Sequence, residues 1–433
     1  MLTALTGLSL AGNKLTGSLP DEFRTLQSLE LLDLSLLQVD SFPSATLTNL
    51  RRLDMSFNNY DGTIPFDIGM LTSLQYLDLS YNNIAGNLPG EIGLLTNLEY
   101  LDLFSNDLTG GLPDELRLAT SLTLLTLASN ILTGNLKDDT VSALRKLQRL
   151  DLGSNSMTGT LPASLGLLVD LEDLHLKNNA FTGIIPTALG QLTRLSTLDL
   201  QRNALTGTIP WYEFGTFSTE LTYVDAGWNN LTGPIATQLG LMTNLYFLSL
   251  KSNDLSGFLP SQVGQLKALQ YLDLELNRID GAVPSEIGEL GDSLLELTLD
   301  WNLLSSTLPT QVGLLTSLRT LAARGYSLTG QIPVNIGRMT SLDMLLLGGN
   351  PLTGSIPSTI GLLTRLTHLS LNLTTLESTI PSELGSLTRL KVLYLNGTDL
   401  IGTMPQEVCD LELNTLAVDC REVSCDCNCD CYA

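Results

Sequence analysis

The stretch LSTLDLQRNALTGTIP, from Leu195 to Pro210, decides the fold because its pattern returns along almost the whole chain. Its first part has the form LxxLxLxxN, in which leucines alternate with polar residues. Such a period of two is typical of a short strand with one buried face. Most copies begin 24 residues after the previous one. This regular spacing predicts a stack of equivalent strands that pair in parallel.

Seventeen copies of the pattern can be aligned. They begin at Leu5, Leu29, Leu50, Leu74, Leu98, Leu122, Leu147, Leu171, Leu195, Leu221, Leu245, Leu269, Leu294, Leu318, Leu342, Leu366 and Leu390. The ninth position is Asn in thirteen copies, and Leu37, Tyr326, Thr374 and Thr398 replace it in the others. A side-chain amide can both donate to and accept from backbone groups. We therefore expect an internal asparagine ladder, with the four substituted turns held less well.

The second half of each copy has the form LxGxIP. Its Gly permits a tight backbone path, and its Pro ends the hydrogen-bonded structure. An apolar residue followed by Gly, as in Ile68-Gly69, then predicts a return in short helical or irregular turns. Each unit leaves an apolar side open that only the next unit can cover, which indicates a solenoid.

The full pattern LTGxIPxxLGxLTxLxxLxLxxN resembles the plant-type class of leucine-rich repeats, found in receptor-kinase ectodomains and polygalacturonase-inhibiting proteins. The resemblance implies an α/β repeat fold, a curved right-handed superhelix. Its parallel β-sheet would be concave, and its short helical or irregular turns would lie on the convex side. We assign residues 1–408 to the leucine-rich-repeat array and residues 409–433 to a Cys-rich C-terminal cap.

All six cysteines lie in the last 25 residues: Cys409, Cys420, Cys425, Cys427, Cys429 and Cys431. An even number favours a disulfide set, and extracellular members of the resembled family commonly cover their terminal apolar face with such a cap. The tail also resembles the Cys-rich ends of leucine-rich-repeat proteins from diatoms and related algae. A bridge from Cys409 to Cys420 would hold the last strand. A thiolate metal site is the competing interpretation.

Composition excludes several classes of function. Lys and Arg number 22 against 45 Asp and Glu, a formal net charge of −23, so nucleic acid would be repelled. No apolar run approaches the roughly 18 residues that span a bilayer. The two histidines, His175 and His368, fall in repeats eight and sixteen, and no nucleophile elbow, metal-binding His pair or phosphate loop is present. We expect no enzyme, no cofactor and no metal.

Binding is expected on the outward strand positions, which alternate with the buried leucines. A central column is rich in aspartate, and the column two residues earlier carries aromatic rings. The candidate ligand-binding residues are Tyr76, Asp78, Tyr100, Asp102, Tyr223, Asp225, Trp228, Phe247, Tyr271, Asp273 and Trp301. Aromatics with polar tips are common anchors of protein or sugar contacts. Two alternatives stay open: the aspartates can be the default of the repeat, and the rings can brace the sheet by stacking.

Three N-x-S/T sequons, at Asn230, Asn372 and Asn396, predict glycosylation. Glycans on the last two would move the ligand contact toward repeats two to thirteen. The sequence thus predicts an extracellular or cell-surface recognition scaffold that binds a protein, peptide or glycan on its concave face. Segments outside this chain could tether it to a membrane. The alternatives are an inhibitor of a secreted hydrolase and a structural or adhesive component of a cell coat.

Overall fold

The predicted strands are present in the computed structural model, which describes residues 3–217, 220–425, 427 and 429–432. The chain divides into two compact units, Met1–Thr206 and Gly207–Ala433. Within each unit, LxxLxLxxN strands pair in parallel at equivalent positions, as Tyr76 does with Tyr100. In the first unit these strands are Gly7–Ser9, Leu31–Asp33, Arg52–Asp54, Tyr76–Asp78, Tyr100–Asp102, Leu124–Thr126, Arg149–Asp151, Asp173–His175 and Thr197–Asp199. In the second they are Tyr223–Asp225, Phe247–Ser249, Tyr271–Asp273, Glu296–Thr298, Thr320–Ala322, Met344–Leu346, His368–Ser370 and Val392–Tyr394. Two further strands outside the seventeen copies, Thr415–Asp419 and Asp430–Tyr432, extend this sheet.

The second half of the repeats forms a second set of strands and 3-10 helices. The strands of this second set are Thr16–Gly17, Gln38–Val39, Ala85–Asn87, Asp107–Thr109, Thr182–Ile184, Ala204–Gly207, Asn230–Gly233, Asp254–Phe258, Arg278–Gly281, Leu303–Leu304, Thr353–Gly354, Thr375–Thr379, Asp399–Thr403 and Val423–Ser424. The 3-10 helices are Asp21–Thr25, Phe66–Met70, Gly90–Leu94, Asp114–Leu118, Ala163–Leu167, Thr187–Gln191, Thr237–Leu241, Ser261–Gln265, Ser285–Leu290, Thr310–Leu314, Val334–Arg338, Ser358–Leu362 and Ser382–Ser386. The α-helices of the described residues are Asp138–Ala143, Trp211–Phe217 and Gln406–Cys409.

The core of each unit is a column of leucines between the strands and the returning turns. In the repeat that begins at Leu74, the side chains of Leu74, Leu77 and Leu79 are all 0% exposed. Burying one such side chain stabilises a fold by about 1.5–3 kcal/mol. Because every leucine contacts the repeats before and after it, this stabilisation is shared between neighbours.

The LxGxIP segment shapes each return. Pro65 has φ −70° and ψ 145°, and its carbonyl accepts a hydrogen bond from the N–H of Ile68 at 3.0 Å. Proline suits this position, just before the helix Phe66–Met70, because its φ is fixed and it has no N–H group to satisfy. Successive returns then pack closely: a Cβ on Gly166 would lie 2.2 Å from the carbonyl oxygen of Ala188. Glycine is therefore required where the turns approach each other.

The asparagine ladder is formed as predicted, and Asn82 illustrates its geometry. The side-chain Nδ2 of Asn82 donates to the carbonyl of Met55 in the preceding repeat at 2.9 Å, and to the carbonyl of Leu79 at 3.0 Å. Its Oδ1 accepts from the N–H of Tyr60 at 3.1 Å. One buried amide thus closes its own turn and fastens it to the previous repeat.

Repeats without this asparagine have fewer such bonds. The hydroxyl of Thr374 donates to the carbonyl of Leu371 at 2.8 Å, and the hydroxyl of Thr398 donates to the carbonyl of Leu395 at the same distance. Among the described residues, neither threonine side chain reaches the preceding repeat. The two side chains therefore close only their own turns, and the link to a neighbouring repeat is made by the backbone instead: the N–H of Thr374 donates to the carbonyl of Gly397 at 3.0 Å, and the N–H of Thr398 donates to the Oδ2 of Asp419 at 3.0 Å.

Replacing Asn82 by Ala should lower the free energy of unfolding by about 2–4 kcal/mol, because several buried backbone groups lose their partners. Urea unfolding and amide hydrogen exchange in repeats three and four measure the effect. The matched control is Asn83→Ala, because Asn83 is the exposed neighbour and its side chain has no hydrogen bond among the described residues. Equal losses for the two variants would contradict a structural role for the ladder.

Candidate functional site

Tyr223, Phe247 and Tyr271 lie at equivalent positions of three successive strands, as predicted, and we call them the aromatic strip. The ring centroids of Tyr223 and Phe247 are 4.4 Å apart with 9° between the ring planes. Those of Phe247 and Tyr271 are 5.9 Å apart at 42°. Because the first two rings cover each other's faces, a ligand on the strip would meet mainly ring edges.

The aspartates beside the aromatic strip are engaged with the protein itself. Asp225 is buried, and its Oδ1 accepts from the N–H of Gly227 at 2.9 Å. The Oδ1 of Asp273 accepts from the N–H of Glu275 at 3.1 Å, and its Oδ2 lies 3.4 Å from the Nζ of Lys251. Burial alone would lower the pKa of Lys251, but the two carboxylates beside it raise that pKa above its ordinary value. The column therefore presents an ion pair next to the rings rather than free acceptors.

The two tryptophans lie in the turn that follows the strand, and each is 43% exposed. Trp228 has φ 56° and Trp301 has φ 55°, both in the left-handed region. The Nζ of Lys251 lies 5.9 Å from the ring centroid of Trp228. Trp301 meets Tyr326 at 5.6 Å with 59° between the rings, so their faces do not cover each other. The two tryptophans are thus equally exposed, and Trp301 has a tilted aromatic neighbour.

Tyr76 and Tyr100 form the equivalent aromatic pair in the first unit. Their ring centroids are 4.1 Å apart with 11° between the planes. The guanidinium carbon of Arg52 lies 3.5 Å from the centroid of the Tyr76 ring. One face of the pair is thus covered by the cation of the preceding repeat, and the stacking interpretation is favoured here.

Asp78 and Asp102 turn toward the backbone beside these tyrosines. The Oδ1 of Asp78 accepts from the N–H and the hydroxyl of Ser80, at 3.0 and 2.7 Å. The Oδ1 of Asp102 accepts from the N–H of Phe104 at 2.8 Å. Burial, together with the negative charge of a neighbouring aspartate, raises the pKa of both carboxyl groups, that of Asp102 to about 6. These contacts favour the view that the aspartates fix the turn after each strand.

The raised pKa gives a test of this structural role. The pKa of Asp102 in the folded protein lies above the ordinary value of 3.8, so its ionisation destabilises the fold. The penalty is complete above about pH 6 and disappears as the pH falls toward 4. Asp102→Asn should therefore raise the free energy of unfolding at pH 7.5 by roughly 1–2 kcal/mol, after allowance for solvent screening, and by nothing at pH 4.

Urea unfolding at the two pH values measures this difference. The matched control is Asp107→Asn, because Asp107 is an exposed carboxylate of the same repeat. A stability gain for Asp102→Asn that does not change with pH would contradict the assignment.

Two grooves lie on the sheet face of the second unit. The larger, which we call the arginine groove, has a volume of about 620 Å³ and is lined by Tyr271, Leu295, Glu296, Arg319, Thr320, Asp343, Met344, Arg365, Thr367, His368 and Arg389. The smaller, the tryptophan groove, has a volume of about 370 Å³ and is lined by Trp301, Arg324, Tyr326, Gly348, Gly349, Ser370, Asn372, Leu373, Tyr394 and Asn396. Tyr271 belongs to both the aromatic strip and the arginine groove, so these two surfaces are continuous.

Sequence reasoning missed the arginines of this groove. The outward columns consist of fixed positions within the strands. Arg319 instead follows the first leucine of its copy, and Arg365 and Arg389 each precede such a leucine. A signal was nevertheless present. Between Asp300 and Asp399 the chain has six Arg and Lys residues against three Asp and Glu residues, although the whole chain is strongly acidic.

Three family models match the chain: "Leucine Rich Repeat" at residues 4–26 and 49–71, "Leucine Rich repeats (2 copies)" at 72–114, and "Leucine rich repeat" at 120–181. The solved structure of a leucine-rich-repeat protein from Leptospira interrogans is 31% identical over 94% of this chain and 93% of its own, with a TM-score of 0.66. The chain belongs to the leucine-rich-repeat family. The predicted fold, a leucine-rich-repeat solenoid, is confirmed.

Plant receptors are also similar to this leucine-rich-repeat protein. A TDR receptor is 28% identical, covers 97% of this chain and 81% of its own, and has a TM-score of 0.87. The Arabidopsis receptor kinase HAESA, in complex with the peptide hormone IDA and the co-receptor SERK1, is 26% identical. The match covers 100% of this chain and 88% of the HAESA chain, with a TM-score of 0.72. These matches confirm the plant type of the repeats. No curated protein sequence matches the chain.

Within the described part of this leucine-rich-repeat chain, no helix has the length and hydrophobicity needed to cross a bilayer. The sequon residue Asn230 is exposed at the start of the strand Asn230–Gly233. Asn372 and Asn396 line the tryptophan groove, so glycans on them would occupy that groove.

The C-terminal end of the leucine-rich-repeat array is joined by disulfides. Cys409 pairs with Cys427, and Cys425 pairs with Cys429. The expected bridge from Cys409 to Cys420 is wrong, although Cys420 is also disulfide-bonded. The strand Val423–Ser424 pairs beside Gly402 and returns the tail to the helix that ends at Cys409. The side chain of Cys431 lies outside the described part of the chain.

The tail also contains the only described group of three potential metal ligands, because the Sγ atoms of Cys425, Cys427 and Cys429 lie within 4.8 Å of one another. A disulfide sulfur is not a thiolate, so the two interpretations of the cysteines exclude each other. Thiol titration of the protein unfolded without reductant should find no free thiols, and elemental analysis should find no stoichiometric metal. Six thiols, or one zinc or copper ion per chain, would contradict the disulfide cap.

Proposed function

We propose that this protein is an extracellular or cell-surface recognition scaffold that binds a peptide segment on the sheet face of its second unit. One observation carries the proposal. The aromatic strip lies on three successive strands and continues through Tyr271 into a groove of about 620 Å³. A row of rings that opens into a groove is suited to an extended chain whose side chains point alternately to the surface.

The comparisons support a ligand-binding scaffold. In the solved structure of HAESA, the receptor is in complex with a peptide hormone and a co-receptor. The solved structure of the plant peptide hormone receptor RGFR1 is a complex with RGF2, and this receptor is 29% identical to the chain with a TM-score of 0.77. The disulfides at the C-terminal end support a location outside the cytosol, where such bonds persist.

The geometry of the aromatic strip favours a peptide over a sugar at this position. Sugar rings bind aromatic residues best when they lie flat on an open face, and the faces of Tyr223 and Phe247 cover each other. The ring edges remain suitable for aliphatic side chains, and the hydroxyl group of Tyr271 is suitable for a backbone amide. A glycan is the second candidate ligand. The tilted rings of Trp301 and Tyr326 in the tryptophan groove would receive it only in a protein whose Asn372 and Asn396 carry no glycans of their own.

A binding role without catalysis is supported by the positions of the histidines. His175 lies in the first unit, with its Nδ1 3.7 Å from the Oδ2 of Asp199. His368 lies in the second unit, where its Nδ1 is 2.9 Å from the hydroxyl of Thr367. Each imidazole is engaged with a neighbour of its own repeat or the next. An inhibitor of a secreted hydrolase and an adhesive coat component remain the alternative functions, and the identity of the captured ligand separates them.

The aromatic strip is tested with a ligand selected from a displayed library of random dodecapeptides. Replacing Tyr223 and Tyr271 by Ala should weaken binding of the selected peptide by roughly 2 kcal/mol or more, about thirtyfold, because buried aromatic anchors dominate such contacts. Titration calorimetry measures the affinity, and thermal unfolding measures the fold. The melting temperature should change little, because truncations of partly exposed side chains rarely unfold a protein.

The matched control is Tyr212→Ala. Tyr212 is 58% exposed in the helix Trp211–Phe217, outside the aromatic strip. It should leave the affinity unchanged. A Tyr223 and Tyr271 double variant with normal affinity and a lowered melting temperature would show that the rings brace the sheet and do not bind the ligand.

A further inference from the structure

The positive charge of the arginine groove sets a second requirement for the ligand, in addition to an apolar side chain at the aromatic strip. We propose that this groove binds an acidic side chain of the peptide, whose carboxylate is held by arginines of the row Arg319, Arg365 and Arg389. The inference rests on the proposed function, because it concerns the same ligand on the same sheet face. It adds the chemical class of the residue that follows the apolar anchor.

The first argument is the local reversal of charge. Of the three acidic residues between Asp300 and Asp399, only Asp343 lines the groove. Glu377 lies in the strand Thr375–Thr379, in the second half of its repeat, and Glu383 lies in the 3-10 helix Ser382–Ser386. The arginines are therefore concentrated on the sheet face, whereas most of the nearby acidic residues lie elsewhere in their repeats.

The second argument is that these arginines lack strong internal partners. For comparison, the Nη2 of Arg324 lies 2.5 Å from the buried carboxylate of Asp300. In the groove, the Nε of Arg365 is 4.0 Å from the Oδ1 of Asp343, which is a weak ion pair. Within the described part of the chain, no carboxylate forms an ion pair with Arg319 or Arg389. Guanidinium groups in this state are well suited to bidentate binding of an external carboxylate.

The third argument is spacing along the sheet. Strands stack about 4.8 Å apart. The backbone of Arg319, two repeats beyond Tyr271, therefore lies roughly 10 Å from that of Tyr271, and the backbone of Arg389, five repeats beyond, lies roughly 24 Å from it. An extended peptide advances about 3.3 Å per residue. A ligand whose apolar side chain rests beside Tyr271 would therefore place its acidic residue about three to seven positions further along. Glu296 lines the groove at the Tyr271 end and disfavours a carboxylate there.

The test repeats the dodecapeptide selection on two proteins, the wild type and the triple variant Arg319→Gln, Arg365→Gln and Arg389→Gln. Peptides selected by the wild type should be enriched in Asp or Glu three to seven positions from an aromatic or aliphatic residue. Peptides selected by the triple variant should keep the apolar residue and lose this enrichment. The control protein is Arg338→Gln, because Arg338 is exposed at the end of a 3-10 helix and does not line the groove. It should select the same peptides as the wild type.

One selected peptide is then measured directly. Replacing its acidic residue by the amide should weaken binding to the wild type at least tenfold, and should have little effect on the triple variant. Raising the salt concentration from about 50 to 500 mM should weaken binding to the wild type more than binding to the variant, because exposed ion pairs are screened. If the triple variant fails to fold, Arg389→Gln alone replaces it, since that side chain is exposed and forms no ion pair among the described residues.

The possible failures are distinguishable. Peptides selected by the wild type with an apolar anchor but without acidic residues would overturn this inference and leave the proposed function standing. A selection that yields no binding peptide would overturn both. Equal binding of a scrambled acidic peptide would also overturn the inference, because it would show attraction by charge without a defined position.

Discussion

The buried amide that joins one repeat to the next is the interaction on which the rest of this structure depends. A parallel strand of three residues cannot satisfy the backbone of the turn that follows it, and unpaired buried groups are costly. Asn277 meets this need with donor bonds to the carbonyls of Leu250 and Leu274, and with an acceptor bond from the N–H of Leu255. Because the same amide contacts two repeats, it sets their spacing as well as closing a turn. The regular columns of side chains follow from that fixed spacing.

The turns of the ladder also contain an unfavourable backbone conformation, which persists at Leu36 and Leu373 in two repeats that lack the asparagine. The residue before each ladder asparagine has a positive φ, as in Tyr81 at 54° and Trp228 at 56°, and a left-handed residue costs about 1 kcal/mol or more. The bonds on both sides of that residue hold it in place. Its side chain is then presented at the edge of the sheet, where Phe57 and Tyr81 stack at 4.2 Å. In this fold the strained position of the turn is also a position that displays large side chains.

Much of the fold could be predicted from the sequence because it depends on periodicity, whereas the site depends on where individual side chains turn. The strands, the asparagine ladder and the adjacency of Tyr223, Phe247 and Tyr271 all follow from a fixed repeat. The direction of Asp78 does not, because the repeat places it outward while the N–H and hydroxyl of Ser80 draw its carboxylate back. The bridge from Cys409 was mispredicted because sequence spacing does not show that the strand Val423–Ser424 folds the tail back. The arginine groove was missed because its members occupy different positions in their repeats.

An acidic protein that binds an acidic peptide requires the local field to exceed the repulsion of the whole chain. At physiological ionic strength the Debye length is about 8 Å, so most of the −23 net charge is screened from a group already inside the groove. The three arginines are roughly one to three strand spacings apart. Their distances to a carboxylate inside the groove are much shorter than the distances from that carboxylate to most other charges of the chain. The overall charge would then slow the approach of strongly acidic chains, whereas the groove would retain a peptide with one well-placed carboxylate. The groove would therefore distinguish peptides by the position of a negative charge more than by their total charge, because the equally spaced strands hold the arginines at fixed positions.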